Sequence, residues 1–511
     1  MADNKPTGAP ADEIELVKRQ EQEVMPNAYH DVSDEYPAKK RKSVLLKMDL
    51  HIIPLLMILY STVLSYIDRA NIGNAKIEGI EADLDLSPKQ YQITLSIFFV
   101  SYIFCEVPSN WILEGYFSQR PSLYIGIITV LWGIMMTLHG VVKNFNEIVT
   151  VRFIMGIFEA GFFPGAIALL NKWYTKYELA TRLALFYTAS ALSGAFSGLL
   201  AYAIAKMDGV AGQEGWRWIF TIEGIATIFI GFITPFLLPD TPERRPNWLT
   251  VEECDYLIRR MVAQNGGERA DEEGQKLTLA LIKDVVTDWQ YYPLILCYWS
   301  STVPIYGMKF TLPQIIKNMG YSSSNAQLLS IPPYVAGAIS SVGFNMLGDK
   351  MRRRSYFLII PQVLVVISYC IITPLSSHIA DHIGACFFAV ILLNIGVYPI
   401  NPGTSSWASN NSAGAAKRSV ALAYVLSIAS IGGIFASYIF IDSEAPGYPT
   451  GFGVSMAAAI VGIFSVCFLD LYYKRVNKDR DQMSIEEISE KYSEEDLARL
   501  GNRSPLFRYT R

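Results

Sequence analysis

Arg152 and Glu159 stand seven residues apart in the apolar stretch Arg152-Phe-Ile-Met-Gly156-Ile-Phe-Glu159. Seven residues is two turns of an α-helix, so the two side chains share a face. Asp68 and Arg69 close an earlier apolar run in Tyr66-Ile67-Asp68-Arg69-Ala70-Asn71. Ionisable groups in apolar helices are costly and by default mark a binding site or pathway. Two cations and two carboxylates so placed suit an anionic ligand and a proton site. The guanidinium fork matches a carboxylate's two oxygens, and a carboxyl gains or loses its proton as a cationic partner leaves or arrives. On this reading Arg152 and Arg69 bind the anion, Glu159 is the first proton-coupling residue and Asp68 the second. The competing role for Arg152 and Glu159 is bracing between helices. Asp68 and Arg69 have a second placement too, at the outer water boundary, because the first run is short.

Other polar groups fall in or near apolar runs. Glu106 and Glu223 are expected to brace helices. Lys309 is expected to snorkel outward, the alternative being contact with a ligand carboxylate. Asn394, Tyr398, Asn401, Ser405, Trp407, Asn410 and Asn411 gather in and after a later run. Asn394, Asn401 and Trp407 offer hydrogen bonds and stacking to a small ligand.

The elements that carry these residues are set by hydropathy. Of 511 residues, 51% are hydrophobic and 18% charged, and the mean hydropathy is +0.25. Disordered, collagenous and coiled-coil chains are excluded, as is a disulfide scaffold with six cysteines in this length. A net charge of −4 gives no basic field for nucleic acid. A membrane helix needs about 20 apolar residues. About twelve such runs occur, over 50–67, 91–113, 122–142, 148–170, 183–205, 218–238, 291–312, 326–347, 356–375, 383–400, 420–441 and 452–472. The chain reads as an all-α membrane protein lodged in a lipid bilayer. Residues 1–47 form an N-terminal tail, 48–238 one six-helix bundle, 239–289 a polar central loop, 290–473 a second six-helix bundle, and 474–511 a charged tail with a short helix expected over 484–500. Lys39 to Lys47, Lys172, Lys176, Arg182, Lys350, Arg352 to Arg354, Lys417, Arg418 and Lys474 to Arg480 all fall on one side of the bilayer. Both termini are therefore expected in the cytoplasm. The cysteines and histidines show no metal spacing. No Gly-rich nucleotide loop or catalytic constellation is present, so neither enzyme, cofactor nor metal is expected.

A shift of about 235 residues overlays the halves: Asn110 and Glu114 on Asn345 and Asp349, Gly198 on Gly433, and Glu159 on Asn394. Copies related by an axis along the membrane normal follow, with Glu159 and Asn394 facing a central cavity from opposite halves. Gly161–Gly165 and Gly194–Gly198 are small-residue pairs that let helices approach closely.

These residues carry a family resemblance. Tyr66-Ile-Asp68-Arg69-Ala-Asn71-Ile-Gly73, Glu106-Val-Pro108-Ser109-Asn110, Arg152-x6-Glu159-Ala-Gly161-Phe-Phe-Pro164-Gly165, Gly215-Trp216-Arg217-Trp218-Ile-Phe220, Leu238-Pro239-Asp240 and Trp407-x2-Asn410-Asn411 resemble the anion:cation symporter branch of the major facilitator superfamily, in the fungal allantoate permease group. Asp349-Lys350-Met351-Arg352-Arg353-Arg354 resembles the superfamily signature between spans eight and nine, which implies a gating role for Asp349 and Arg353; plain positive-inside topology also accounts for the arginines. The first-half copy of that signature is degenerate, and Lys309 is unusual in span seven. The resemblance implies the major facilitator fold, about twelve transmembrane helices in two six-helix halves. It implies that Tyr66, Asp68, Arg69, Arg152 and Glu159 are proton and anion residues. The implied function is import of a small organic anion, a carboxylate or a vitamin such as nicotinate, by proton symport across the plasma membrane, by a monomer. A transporter-like nutrient receptor and an efflux carrier for an organic acid are the alternatives.

Overall fold

The computed structural model describes residues 37–57, 59, 66–175, 178, 182, 193, 195–204, 206–264, 279–351, 353–413, 415–445, 447–493 and 500–511. They fall into two compact units, one of the described residues up to 48 with those within 242–274, and one of those within 49–241 and 275–511. In the smaller unit Lys47 at the start of the chain meets Glu253 of the central loop at 2.7 Å.

Every regular element among the described residues is helical. In the first half the longer ones are α1 (Ala38–Met57), α2 (Tyr66–Ile77), α3 (Pro88–Tyr116), α4 (Pro121–His139), α5 (Phe145–Glu159), α6 (Phe162–Trp173), α7 (Ala195–Ile204) and α8 (Gly215–Leu237). The central loop holds α9 (Val251–Gln264) and α10 (Leu279–Thr287). The second half holds α11 (Tyr291–Asn318), α12 (Ser323–Leu329), α13 (Ile331–Met351), α14 (Arg354–Leu375), α15 (Ile383–Val397), α16 (Ile400–Asn410), α17 (Ala415–Ile439) and α18 (Pro449–Asp481), followed by α19 (Ile485–Lys491). Eight described segments are long and apolar enough to cross a membrane.

Local sequence starts these helices. At α3, Ser87 accepts from the Gln90 amide at 3.3 Å while the Gln90 side chain accepts from the Ser87 amide at 2.9 Å. This capping box uses up free N–H groups, and Pro88 fills the first helical position, where no N–H is missed. The outer surface is apolar: Phe236 is 88% exposed and Phe104 77%. In water such a surface would aggregate; facing lipid it is the expected exterior. With no hydrophobic force between helices in lipid, close backbone approach does the packing. A methyl on Gly133 of α4 would lie 2.8 Å from the Ile228 amide nitrogen, and one on Gly224 of α8 2.4 Å from that of Thr137.

Helix ends depart from the apolar runs. The first helix already begins at Ala38, and α2 continues to Ile77, ten residues past the expected end of span one. Asp68 and Arg69 therefore lie within a helix. The hydrogen-bond ladder of span four is interrupted at residues 160–161 and that of span ten at 398–399, where the backbone stays right-handed helical; Pro164 and Pro402, four residues beyond 160 and 398, lack the N–H that would close it. The final helix runs to Asp481, and the short helix expected over 484–500 is described over Ile485–Lys491.

Candidate functional site

The start of α5 is fixed by Asn144, whose side chain accepts from the Glu147 amide at 3.0 Å. This start carries Arg152 and Glu159 inward, where they are 3% and 1% exposed. The Arg152 guanidinium lies over the Phe220 ring at 5.9 Å. His139 stacks on the same ring at 5.1 Å. Arg152 is thus held among α4, α5 and α8, and neither Phe220 nor His139 stood out in the sequence as a partner for it. Glu159 is the last residue of α5, beside the interruption of span four. In the second half Asn394 is 2% exposed and donates to the Val390 carbonyl of its own helix at 2.9 Å. Asn401 lies just beyond the interruption of span ten, and its buried Oδ1 has no hydrogen-bond partner among the described residues. Spans four and ten, related by the repeat, thus each carry a proline-induced irregularity beside their candidate residues while remaining continuous helices. The side chains of Tyr66, Asp68 and Arg69 lie outside the described residues.

Among the described residues the halves meet at several helix pairs, three of them especially close. Between α2 and α11, a methyl on Gly73 would be 2.8 Å from the Lys309 carbonyl oxygen and 2.9 Å from that of Phe310, so the backbones touch. Between α3 and α17, Ser96 bonds Tyr438 at 2.9 Å, Phe99 packs on Gly433, and Ser427 donates to Glu106 at 2.9 Å. Phe99 also meets Tyr306 of α11 edge-on at 4.8 Å. Between α7 and α12, Gly198 sits against the Gln327 carbonyl. Gly198 and Gly433, partners in the repeat, thus each face the opposite half. Glu106 does brace helices, but across the halves. Lys309 corrects the expectation of snorkelling. It is 1% exposed, because its turn of α11 is pressed against α2. At the same end Gln327 donates to Glu78 at 3.0 Å and Lys317 to the Ile77 carbonyl at 3.3 Å. Burial pushes the Glu78 carboxyl above the usual carboxylate range, with Lys317 opposing.

Trp407 is placed elsewhere, at the opposite end of the second half. Its indole donates to the Thr510 carbonyl at 2.8 Å. Asn411 donates to the same carbonyl at 3.1 Å and accepts from the Thr510 amide at 2.7 Å. Asn477 exchanges both backbone bonds with Tyr509, at 2.8 and 2.9 Å. The Tyr509 ring stacks on Tyr473 at 4.4 Å, and Gln290 donates to its hydroxyl at 3.0 Å. Residues 501–511 are therefore a packed part of the second half. Asp349 pairs with Arg354, while Arg353 lies over the Tyr356 ring at 5.6 Å. Asp349 and Arg353 line a cavity of about 490 Å³ whose other wall is residues 508–511.

Trp407→Ala is expected to destabilise the detergent-purified protein by about 3–5 kcal/mol. Trp407→Phe, which loses chiefly the indole hydrogen bond, should cost about 1 kcal/mol. Thermal unfolding of the three proteins side by side measures this ranking; equal melting temperatures for Trp and Ala would refute it.

In comparisons with known proteins, residues 58–437 match the family described as Major Facilitator Superfamily. The chain is 34% identical over 482 residues to the MFS-type transporter cnsO of Penicillium expansum, covering 93% of this chain and 91% of that protein. It is 31% identical over 464 residues to the uncharacterized transporter C1002.16c of Schizosaccharomyces pombe, covering 90% of each. Among solved structures, a D-xylose-proton symporter superposes with a TM-score of 0.62 at 16% identity, over 83% of this chain and 97% of that one. At that identity the likeness is one of fold.

Proposed function

The chain belongs to the major facilitator superfamily, and we propose that this multi-pass membrane transporter imports a small organic anion together with protons by alternating access. The reading places it in the plasma membrane with both termini cytoplasmic and takes a carboxylate or vitamin such as nicotinate as cargo. One observation carries it: Arg152 and Glu159, on one face of α5, are both enclosed within the apolar first half. A carboxylate drawn into the membrane needs a compensating cation, because an unpaired buried charge costs several kcal/mol. A carboxyl two turns away provides a group that can be charged in one state of the cycle and neutral in another.

Arg152 with Arg69 is assigned to the anion and Glu159 with Asp68 to the proton. Tyr66, Asn394 and Asn401 are assigned to the ligand's polar groups, and Asp349 with Arg353 to gating. Trp407 is the weakest of the proposed ligand contacts, since its indole N–H is engaged by Thr510. Uptake of a labelled carboxylate panel in cells expressing the chain, at acidic and neutral external pH, is the test. Accumulation of one member that is faster at acidic pH is the expected result. Outward movement of substrate against inward protons would instead make it an efflux carrier, and binding without accumulation a receptor.

A further inference from the structure

Glu223 has no part in the mechanism above. It lies on α8, about 12 Å from the helix start, and is 3% exposed. One carboxyl oxygen accepts from the Asn71 amide of α2. The other has no hydrogen-bond partner among the described residues. Asn71 in turn accepts from Ser197 of α7 at 3.2 Å, and Asn74 donates to Ser197 at 2.8 Å. A single carboxyl thus ties α2 and α7 to α8.

Those two helices carry close contacts with the second half. Gly73, two residues beyond Asn71, touches the backbone of α11. Gly198, next to Ser197, would bring a methyl within 2.7 Å of the Gln327 carbonyl oxygen and 2.5 Å of the Ser330 hydroxyl. Both contacts lie at the end of the bundle away from residues 501–511. We propose that Glu223 is a proton-binding residue that couples protonation to closure of this end of the transporter.

The physical basis is the poverty of the site. A buried charge must be paired and hydrogen-bonded, and here one amide serves one oxygen. A proton satisfies the group while the halves are closed. Losing it makes water entry favourable, and water enters when α2 and α7 part from α11 and α12. The other charged groups around α8 are placed as follows. Arg152 and His139 hold the Phe220 ring, three residues before Glu223. On α2, Lys76 meets Glu81 at 3.4 Å, while Asp68 and Arg69 lie outside the described side chains. Residues 195–204 of α7 contain no carboxylate, histidine, lysine or arginine, and Tyr202 is their one titratable group. Glu78, Lys317 and Asp208 gather at the mouth. The inference rests on the alternating-access part of the proposed function and not on its substrate or on Glu159.

The test uses Ser330→Cys as a reporter, since Ser330 is 2% exposed and covered by Gly198. A membrane-impermeant thiol reagent is applied from the side away from the C-terminal segment, and labelling above the Ser330 parent is scored at acidic and mildly alkaline pH. The quantity read is the ratio of labelling in S330C to that in S330C/E223Q, which cancels the pH dependence of the thiol and of Glu78. The ratio is expected near one in acid and to rise several-fold in alkali, because the glutamine side chain of the E223Q variant stays neutral and keeps the gate closed. A ratio that stays at one across the pH range overturns the proposal. If E223Q fails to reach the surface, Ser197→Ala should raise S330C labelling in acid by freeing α7, and unchanged labelling would overturn it equally. Failure of uptake with an intact pH-dependent ratio would count against the proposed anion symport alone.

Discussion

Arg152→Gln is expected to lower uptake of the organic anion at least tenfold while the protein still reaches the cell surface. The guanidinium is 3% exposed and rests on the Phe220 ring, so an aromatic face supports its charge inside the first half. Glutamine keeps a hydrogen-bond donor and removes the charge. Tenfold corresponds to about 1.4 kcal/mol, a low threshold beside the several kcal/mol at stake when a buried charge loses its partner. Arg152→Lys should restore uptake only in part, because lysine is a point charge without the planar fork. Uptake kinetics normalised to surface protein, for Gln and Lys variants of Arg152 and Arg69, measure this. Near-normal uptake in both Gln variants would move the anion site to Lys309, which is enclosed rather than snorkelled.

Glu159→Gln should abolish uphill accumulation under an inward proton gradient while leaving substrate-for-substrate exchange intact. In the proposed cycle Arg152 favours ionised Glu159 until an anionic substrate competes for it. Glu159 then takes a proton from the acidic side, and the loaded protein reorients. On the near-neutral side the proton leaves, the carboxylate reclaims the arginine, and the substrate is displaced. Glutamine mimics the protonated form, so the binding steps survive and the remaining transport becomes nearly independent of pH. Vesicles with an imposed pH gradient, assayed for net accumulation and for exchange, separate the two. Concentrative uptake by the Gln variant would make Glu159 structural and pass the role to Asp68.

The spans were legible because lipid demands long apolar runs, and the fold followed from their number and from the repeat. Helix ends were not legible. Backbone hydrogen bonding does not stop where apolar residues stop, so α1 begins among lysines and α18 continues nine residues past its apolar run. Arg152 and Glu159 stood out as charges in apolar text. The surroundings of Glu223 did not, because Asn71 and Ser197 are ordinary polar residues that only the packing of α2, α7 and α8 brings onto one carboxyl. The partner of Trp407 was equally hidden. The indole and the Asn411 amide read the backbone of Thr510, and backbone recognition leaves no side-chain signature in the segment that is read.

That last arrangement bears on how the chain is made. Residues 501–511 leave the ribosome after every span has been inserted, yet they join Gln290 beside span seven, Arg354 at span nine, Trp407 at span ten and Asn477 at span twelve. Until they arrive, those four helices have been delivered to the membrane with open polar sockets and a bare Tyr473 ring. Without residues 501–511 every span would still be present, yet the second half would be unfinished, with Gln290, Trp407, Asn411 and Asn477 stripped of the partners they hold here.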